Sequence, residues 1–180
     1  MLPILAGPSS SRGDAILEFA VHQPLVPGKL YVLLAFTGPT PHGTVGLSWL
    51  THQGYEDMGE PPFEELLEVA AGNLAEDLTI DGYSTDDGSD VLHVKREGFL
   101  AGSAVALPGF HERMSSILAA QRLVVGLLCS DELYLADADG GAADEIRRMT
   151  LEHEHDGQYL GPTVLLMDGS GIQVLAERQI

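Results

Sequence analysis

The sequence predicts an α+β fold in which mostly antiparallel strands form the sheet and three helices pack on it. Residues 123–129 form an unbroken apolar run of strand length, which indicates a central strand covered on both faces. Residues 63–78 carry apolar side chains at helical spacing, and Asp168-Gly-Ser-Gly171 between two apolar segments is typical of a hairpin turn. The predicted order is ββ(β)-α-βββ-α-ββ-α-ββ.

The N-terminal third is predicted to contain a tail followed by strands. Residues 1–13 include two prolines and three consecutive serines, and are predicted to be a flexible tail. Residues 14–180 are then expected to form a single α+β domain. Alternating apolar side chains predict a half-buried strand over residues 14–22. Further strands are predicted over residues 30–36 and 45–49, and the polar residues 51–62 are predicted to be a loop.

The clearest helix is predicted to begin after Pro61 and Pro62. Glu64, Glu65 and Glu68 lie in its first two turns, where the positive end of the helix dipole favours acidic side chains. Gly72 interrupts the predicted helix, at a cost of about 1 kcal/mol relative to alanine. Strands are then predicted over residues 79–83, 91–96 and 99–107, with an acidic turn over residues 84–90.

The C-terminal half is predicted to contain the central hairpin. A second helix begins at Pro108-Gly109 and leads into residues 123–129, which pair with residues 132–136 through a turn at Ser130-Asp131. A third helix is expected from Ala142 to about His155, with Gly157 just beyond its end. Residues 163–167 and 172–175 are predicted to form the closing hairpin.

Composition limits the class of protein. A chain of 180 residues can bury a core without covalent cross-links. The single cysteine, Cys129, excludes an internal disulfide, and its apolar surroundings predict a buried thiol. The N-terminus lacks the basic segment of a signal peptide, and no apolar stretch has the length of a membrane helix. A cytoplasmic protein without membrane contact is expected.

The formal net charge of −18 is the strongest global feature. It argues against nucleic-acid binding, which needs clustered Lys and Arg, and favours a basic protein partner. The alternative is that the charge only maintains solubility. A homodimer also remains open. The predicted partner-binding surface combines the acidic face of the first helix with the acidic turn: Glu64, Glu65, Glu68, Asp86, Asp87 and Asp90.

Catalytic signatures are absent from the sequence. It contains neither Gly-x-Ser-x-Gly nor a phosphate-binding loop, so no catalytic residue and no cofactor are predicted. The cluster Glu152-His-Glu-His-Asp156 contains metal-ligand residue types, but on a helix His153 and His155 would point about 200° apart. A solvated helix end is the favoured interpretation. The alternative function is a small metal-dependent or hydrolytic enzyme that uses the region of His153 and His155.

Several segments resemble a known family. The residues that carry the resemblance lie in the predicted first helix, the start of the second helix, the central hairpin and the closing hairpin: 63–74, 107–110, 125–137 and 160–172. Over residues 61–175 the chain is similar to the YtpQ-like family of bacterial domains of unknown function. The resemblance implies a fold and supplies no catalytic residues. The order of elements also resembles small acidic secretion chaperones, which dimerise and hold an extended client, so a chaperone-like α/β sandwich is the alternative fold.

These observations predict a non-enzymatic, acidic protein-binding module. Two versions are considered: an immunity-type inhibitor of a basic partner, and a chaperone-like protein that holds a client.

Overall fold

The computed structural model describes residues 1–39, 45–96, 100–154 and 159–179. It confirms the α+β class, and every strand pair in its two sheets is antiparallel. The predicted number of helices was too low, because the described residues contain five α-helices and one 3₁₀ helix. The helices are α1 (Ser11–Leu17), α2 (His52–Asp57), α3 (Phe63–Ala75), the 3₁₀ helix (Ala101–Ala106), α4 (Phe110–Leu118) and α5 (Ala143–Glu152). The strands are β1 (Leu2–Ala6), β2 (His22–Val26), β3 (Leu30–Pro39), β4 (Val45–Trp49), β5 (Leu78–Ser84), β6 (Asp90–Arg96), β7 (Leu123–Leu127), β8 (Leu133–Asp137), β9 (Thr163–Asp168) and β10 (Gly171–Glu177).

The small sheet is built around β3, and it includes the N-terminal residues that were predicted to be a tail. β1 pairs with β3 from Leu2 opposite Ala35 to Ala6 opposite Tyr31. All five residues of β1 are buried. The prediction of a flexible tail over residues 1–13 is therefore wrong for this strand, because its partner lies far along the chain and leaves no local signal.

The predicted strand over residues 14–22 is also wrong, since helix α1 covers residues 14–17 and β2 begins only at His22. The Ser10 side chain caps this helix by accepting a hydrogen bond of 3.3 Å from the backbone N–H of Gly13. Ile16 is buried beside Ala6 and Leu33 of the small sheet. The alternating apolar residues that predicted a strand thus lie at the end of α1 (Leu17) and in the link before β2 (Phe19 and Val21).

Two further segments differ from the prediction. The predicted loop over residues 51–62 contains α2, which is capped by the Thr51 hydroxyl accepting from Gly54 N at 3.1 Å. Residues 100–107, predicted as part of a strand, contain the 3₁₀ helix, whereas Phe99 lies outside the described residues. Gly102 N donates to Ser130 O at 2.9 Å, and a Cβ at Gly102 would lie 3.1 Å from that oxygen. The small side chains therefore let a helix approach the turn after β7.

The large sheet has the strand order β10-β9-β7-β8-β6-β5, which confirms that residues 123–127 form an interior strand. Val125 belongs to the main core, whereas Val124 on the opposite face packs with Ile146 of α5. The main core also takes in Leu5 and Val32 of the small sheet. The two sheets therefore share one core. Helix α3 packs on the small sheet, because its Leu74 lies in one cluster with Ile4 and Ala35. Among the described residues, no helix combines the length and apolar character needed to cross a membrane.

Candidate protein-binding groove

A groove of about 390 Å³ opens where α3, β5 and α4 meet. Its volume lies in the usual range of ligand-binding pockets, about 300–1,000 Å³. Most of its lining is apolar. The lining residues are Glu68, Ala71, Gly72, Ala75, Leu78, Ile80, Val94, Leu107, Pro108, Gly109, Phe110, Arg113 and Met114.

The floor of the groove is the core-facing side of the outermost strands. Leu78 and Ile80 of β5 point to the same face as Val94 of β6, since side chains alternate along a strand. Helix α4 supplies Phe110 and Met114, both buried and both part of the main core. Because β5 is the last strand of the sheet, the space beyond it stays open and the apolar floor reaches the surface.

The α3 wall of the groove is low at Gly72. A Cβ placed at Gly72 would have no other atom within 4 Å, apart from the two adjacent residues and the nearby backbone of its own helix. Ala71 and Ala75 are the other small residues on this wall. The glycine destabilises the helix by about 1 kcal/mol relative to alanine, and here it widens the groove.

Each wall of the groove carries one charged side chain. Glu68 lies on α3 and Arg113 lies on α4. Within the described part of the chain, no carboxylate lies within 4 Å of the Arg113 guanidinium, while six other Lys and Arg side chains form ion pairs. The groove thus offers an apolar floor, an acidic wall and a cationic wall.

The predicted acidic surface is divided by the structure. Glu68 lines the groove, and Glu65 is exposed on the first turn of the same helix. Glu64 accepts a hydrogen bond of 3.1 Å from Gln23 Nε2. The pKa of Glu64 is lowered, first by the hydrogen bond from its own backbone amide and then by Gln23. Glu68 therefore lies at the groove, and Glu64 and Glu65 lie one turn before it on the same helix.

The carboxylates of the acidic turn lie beyond Ser84, at the end of β5 that is farther from the groove. Asp87 accepts from the Thr85 hydroxyl and from Ser89 N, and these bonds lower the pKa of Asp87. Asp90 accepts from the Ser84 hydroxyl at 2.8 Å. Asp86 is exposed in the same turn. The turn carboxylates thus stabilise the turn, and the structure does not bring them to Glu68.

The histidine candidates lie at the end of α5. His153 is the C-cap residue of this helix, whereas His155 and Gly157 lie outside the described residues. In the part of the chain that the structure describes, no group of three or more His, Cys, Asp or Glu side chains has the geometry of a metal site. The metal-dependent alternative at His153 and His155 stays a prediction.

Two potential nucleophiles are the thiol of Cys129 and the hydroxyl of Ser170. Cys129 is 8% exposed, and burial raises the pKa of its thiol. The Ser170 hydroxyl donates to Asp168 at 2.6 Å within the closing hairpin. Neither side chain has the surroundings of an activated nucleophile.

In comparisons with protein-family models, curated proteins and solved structures, nothing matches this chain. The resemblance to the YtpQ-like family therefore stays a prediction.

The groove itself was not predicted. The strongest sequence signal for a groove was Gly72 within the predicted amphipathic helix. The sequence does not show which residues lie opposite this glycine. Phe110 and Ile80 were assigned to separate elements, and only the fold places them around one opening.

Proposed function

We propose that this chain is a non-enzymatic module that binds another protein, and that the groove between α3, β5 and α4 receives apolar side chains of that partner. The supporting observation is the apolar floor, which reaches the surface at Ile80 beneath a helix wall lowered by Gly72. Burying such a floor is favourable at about 25 cal/mol per Å² of apolar surface. A partner gains this energy by inserting one or two side chains.

Charge indicates the kind of partner. The net charge of −18 attracts basic proteins and repels acidic ones. Glu68 on the groove wall, with Glu64 and Glu65 one turn away, places part of this charge beside the apolar floor. The partner is therefore a basic protein with exposed apolar side chains. This description fits both a toxin held by an immunity-type protein and a client held by a chaperone-like protein.

The test uses two substitutions at one position. Leucine at Gly72 places a side chain in the groove, whereas alanine adds only a methyl group, and both improve the helix. Immobilised wild-type protein, Gly72→Leu and Gly72→Ala are incubated with extract of the source cells at low salt. We expect a basic protein to be retained by wild type and Gly72→Ala and lost from Gly72→Leu.

Two follow-up measurements complete the test. The retained protein is purified and its affinity is measured by calorimetry at increasing salt, where binding to a −18 surface is expected to weaken. Equal retention by Gly72→Leu and Gly72→Ala, or affinity independent of salt, overturns the proposal. One retained protein favours the immunity-type version, and several unfolded proteins favour the chaperone-like version.

A further inference from the structure

Strand β5 forms an open edge of the large sheet. Among the strands that the structure describes, its seven residues pair with β6 alone, from Leu78 opposite Arg96 to Ser84 opposite Asp90, and the register has no bulge. Most of the strand is exposed, and Tyr83 is 49% exposed. A regular edge strand presents a row of unpaired backbone N–H and C=O groups that another strand can pair with.

Two other edges in the described part of the chain are protected. At the opposite end of the same sheet, β10 contains a bulge between Val174 and Ala176, and Glu177 forms an ion pair with Lys29. The edge strand β1 of the small sheet is entirely buried. Bulges and coverage are the usual ways in which proteins block edge pairing, and β5 has neither.

The side chains of β5 divide into two rows with different chemistry. Leu78 and Ile80 line the groove on one face. Thr79, Asp81 and Tyr83 alternate with them and point to the opposite face. Asp81 pairs with Lys95 across the strands, but its side chain remains 61% exposed. A strand laid beside β5 would meet the apolar Leu78 and Ile80 on one face and a polar row with the Asp81 carboxylate at its centre on the other.

We propose that the partner's bound segment adds to β5 as a further strand of the large sheet. Every second side chain of this segment is apolar and enters the groove, and the side chains between them are basic and face Asp81. This inference rests on the proposed function, since it names the segment that the groove receives. Backbone pairing supplies the affinity, and the alternation supplies the specificity.

Charge selects another protein over a second copy of this chain. Two β5 strands paired antiparallel in register would place Asp81 opposite Asp81, because it is the middle residue of the strand. Like charges directly opposite each other destabilise a strand pair. Each copy also carries a charge of −18, so the two would repel one another. A segment with lysine or arginine at alternate positions meets neither obstacle.

The probe is a synthetic peptide, Lys-Val-Lys-Val-Lys-Val-Lys, with both ends blocked. Binding is measured by calorimetry, and backbone hydrogen exchange is followed by NMR. On peptide addition, the hydrogen exchange of alternate β5 amides is expected to slow by at least about tenfold, because only every second N–H faces the open edge. A peptide of the same composition in the order Lys-Lys-Lys-Lys-Val-Val-Val is the control for charge alone, and it is expected to leave β5 unchanged.

Two N-methylated peptides provide the decisive comparison. One carries methyl groups on the valine amides and the other on the lysine amides, so one version blocks the edge facing β5 and the other blocks the outer edge. One version is expected to bind at least about tenfold more weakly than the unmodified peptide, and the other within about threefold, since each lost hydrogen bond weakens binding by a few-fold.

The outcomes separate this inference from the proposed function. Equal effects of the two methylation patterns, unchanged β5 exchange, or no binding of the alternating peptide each overturn strand addition. Strand addition is also overturned if sedimentation shows a dimer of this chain whose formation slows hydrogen exchange in β5. The proposed function is decided separately by the comparison of Gly72→Leu with Gly72→Ala, which does not involve β5 pairing.

Discussion

The imidazole of His93 stacks on the ring of Tyr134, with ring centroids 4.1 Å apart and planes inclined by 12°. The two residues are direct cross-strand partners on β6 and β8. Burial lowers the pKa of His93 below its ordinary value of 6.5, and nearby Lys95 lowers it further, against the opposing effects of Glu132 and Asp81. The folded protein therefore holds this histidine neutral more firmly than the unfolded chain does.

This stack predicts a pH-dependent stability. Because the folded pKa lies below the unfolded value of 6.5, the free energy of unfolding falls as the pH drops below that value and the unfolded chain takes up the proton. His93→Phe keeps a ring on Tyr134 without the titration. Urea denaturation between about pH 8 and pH 5 should show a steeper loss for wild type than for His93→Phe. The lowered pKa values of Asp81 and Asp87 act only below their ordinary value of 3.8, outside this window. Parallel pH profiles would contradict the prediction.

The N-terminal strand is expected to be essential for stability. Ile4 is fully buried, in a cluster with Leu74 and Leu100. Ile4→Ala should lower the free energy of unfolding by about 2–5 kcal/mol, because it leaves a cavity in the core. The control is Val69→Ala at a side chain that is 60% exposed, with an expected change within about 0.5 kcal/mol. Equal denaturation midpoints for the two variants would show that residues 1–13 behave as a tail.

Helix α5 lies directly on Gly126 of β7. A Cβ at this position would stand 2.2 Å from Thr150 Oγ1 and 2.9 Å from Ile146 Cγ2. Gly126→Ala should therefore destabilise the protein by about 1–3 kcal/mol through overpacking. Gly82→Ala is the matched strand control, since its Cβ meets only Leu92 Cδ2 at 3.6 Å. In a double-mutant cycle measured by urea denaturation, Thr150→Ala should offset part of the Gly126→Ala loss, and strict additivity would contradict the contact.

Gly72 should be replaceable without loss of stability. Gly72→Ala and Gly72→Leu are each expected to raise the free energy of unfolding by about 0.5–1 kcal/mol, because both residues favour a helix interior. Thermal and urea denaturation measure the effect. A lower stability for Gly72→Leu alone would show that the groove lacks room for the side chain, in conflict with the open space around Gly72.

The thiol of Cys129 should react slowly in the folded protein. Its side chain is buried, its Sγ accepts a hydrogen bond of 3.4 Å from Asp131 N, and burial raises the pKa of the thiol. Labelling with an aromatic disulfide reagent at neutral pH should proceed only as the protein opens, and it should become fast in denaturing urea. Equally fast labelling with and without urea would show that the thiol is accessible in the folded state.

Strong local patterns predicted the elements that depend on them. The β7–β8 hairpin follows from an apolar run beside a polar turn, and α3 follows from an apolar stripe of helical period. The closing hairpin follows from its Asp-Gly-Ser-Gly turn. Each of these signals lies within about fifteen residues, so each can be detected without knowledge of the rest of the chain.

Elements that depend on distant partners or on a single cap were missed. β1 is a strand because β3 pairs with it, and α1 is a helix because Ser10 satisfies its first turn. The 3₁₀ helix was predicted as part of a strand, although its small residues allow the close approach to Ser130.

The sequence alone established the α+β class, the acidic character of the surface and the burial of β7, because composition and residue spacing carry that information. Only the tertiary structure decided that Gly72, Ile80 and Phe110 surround one groove, and that Glu68 faces it while Asp86 and Asp87 lie beyond the far end of β5. These arrangements depend on how separate elements pack. Packing energy comes from contacts between residues far apart in the chain, which no local pattern records.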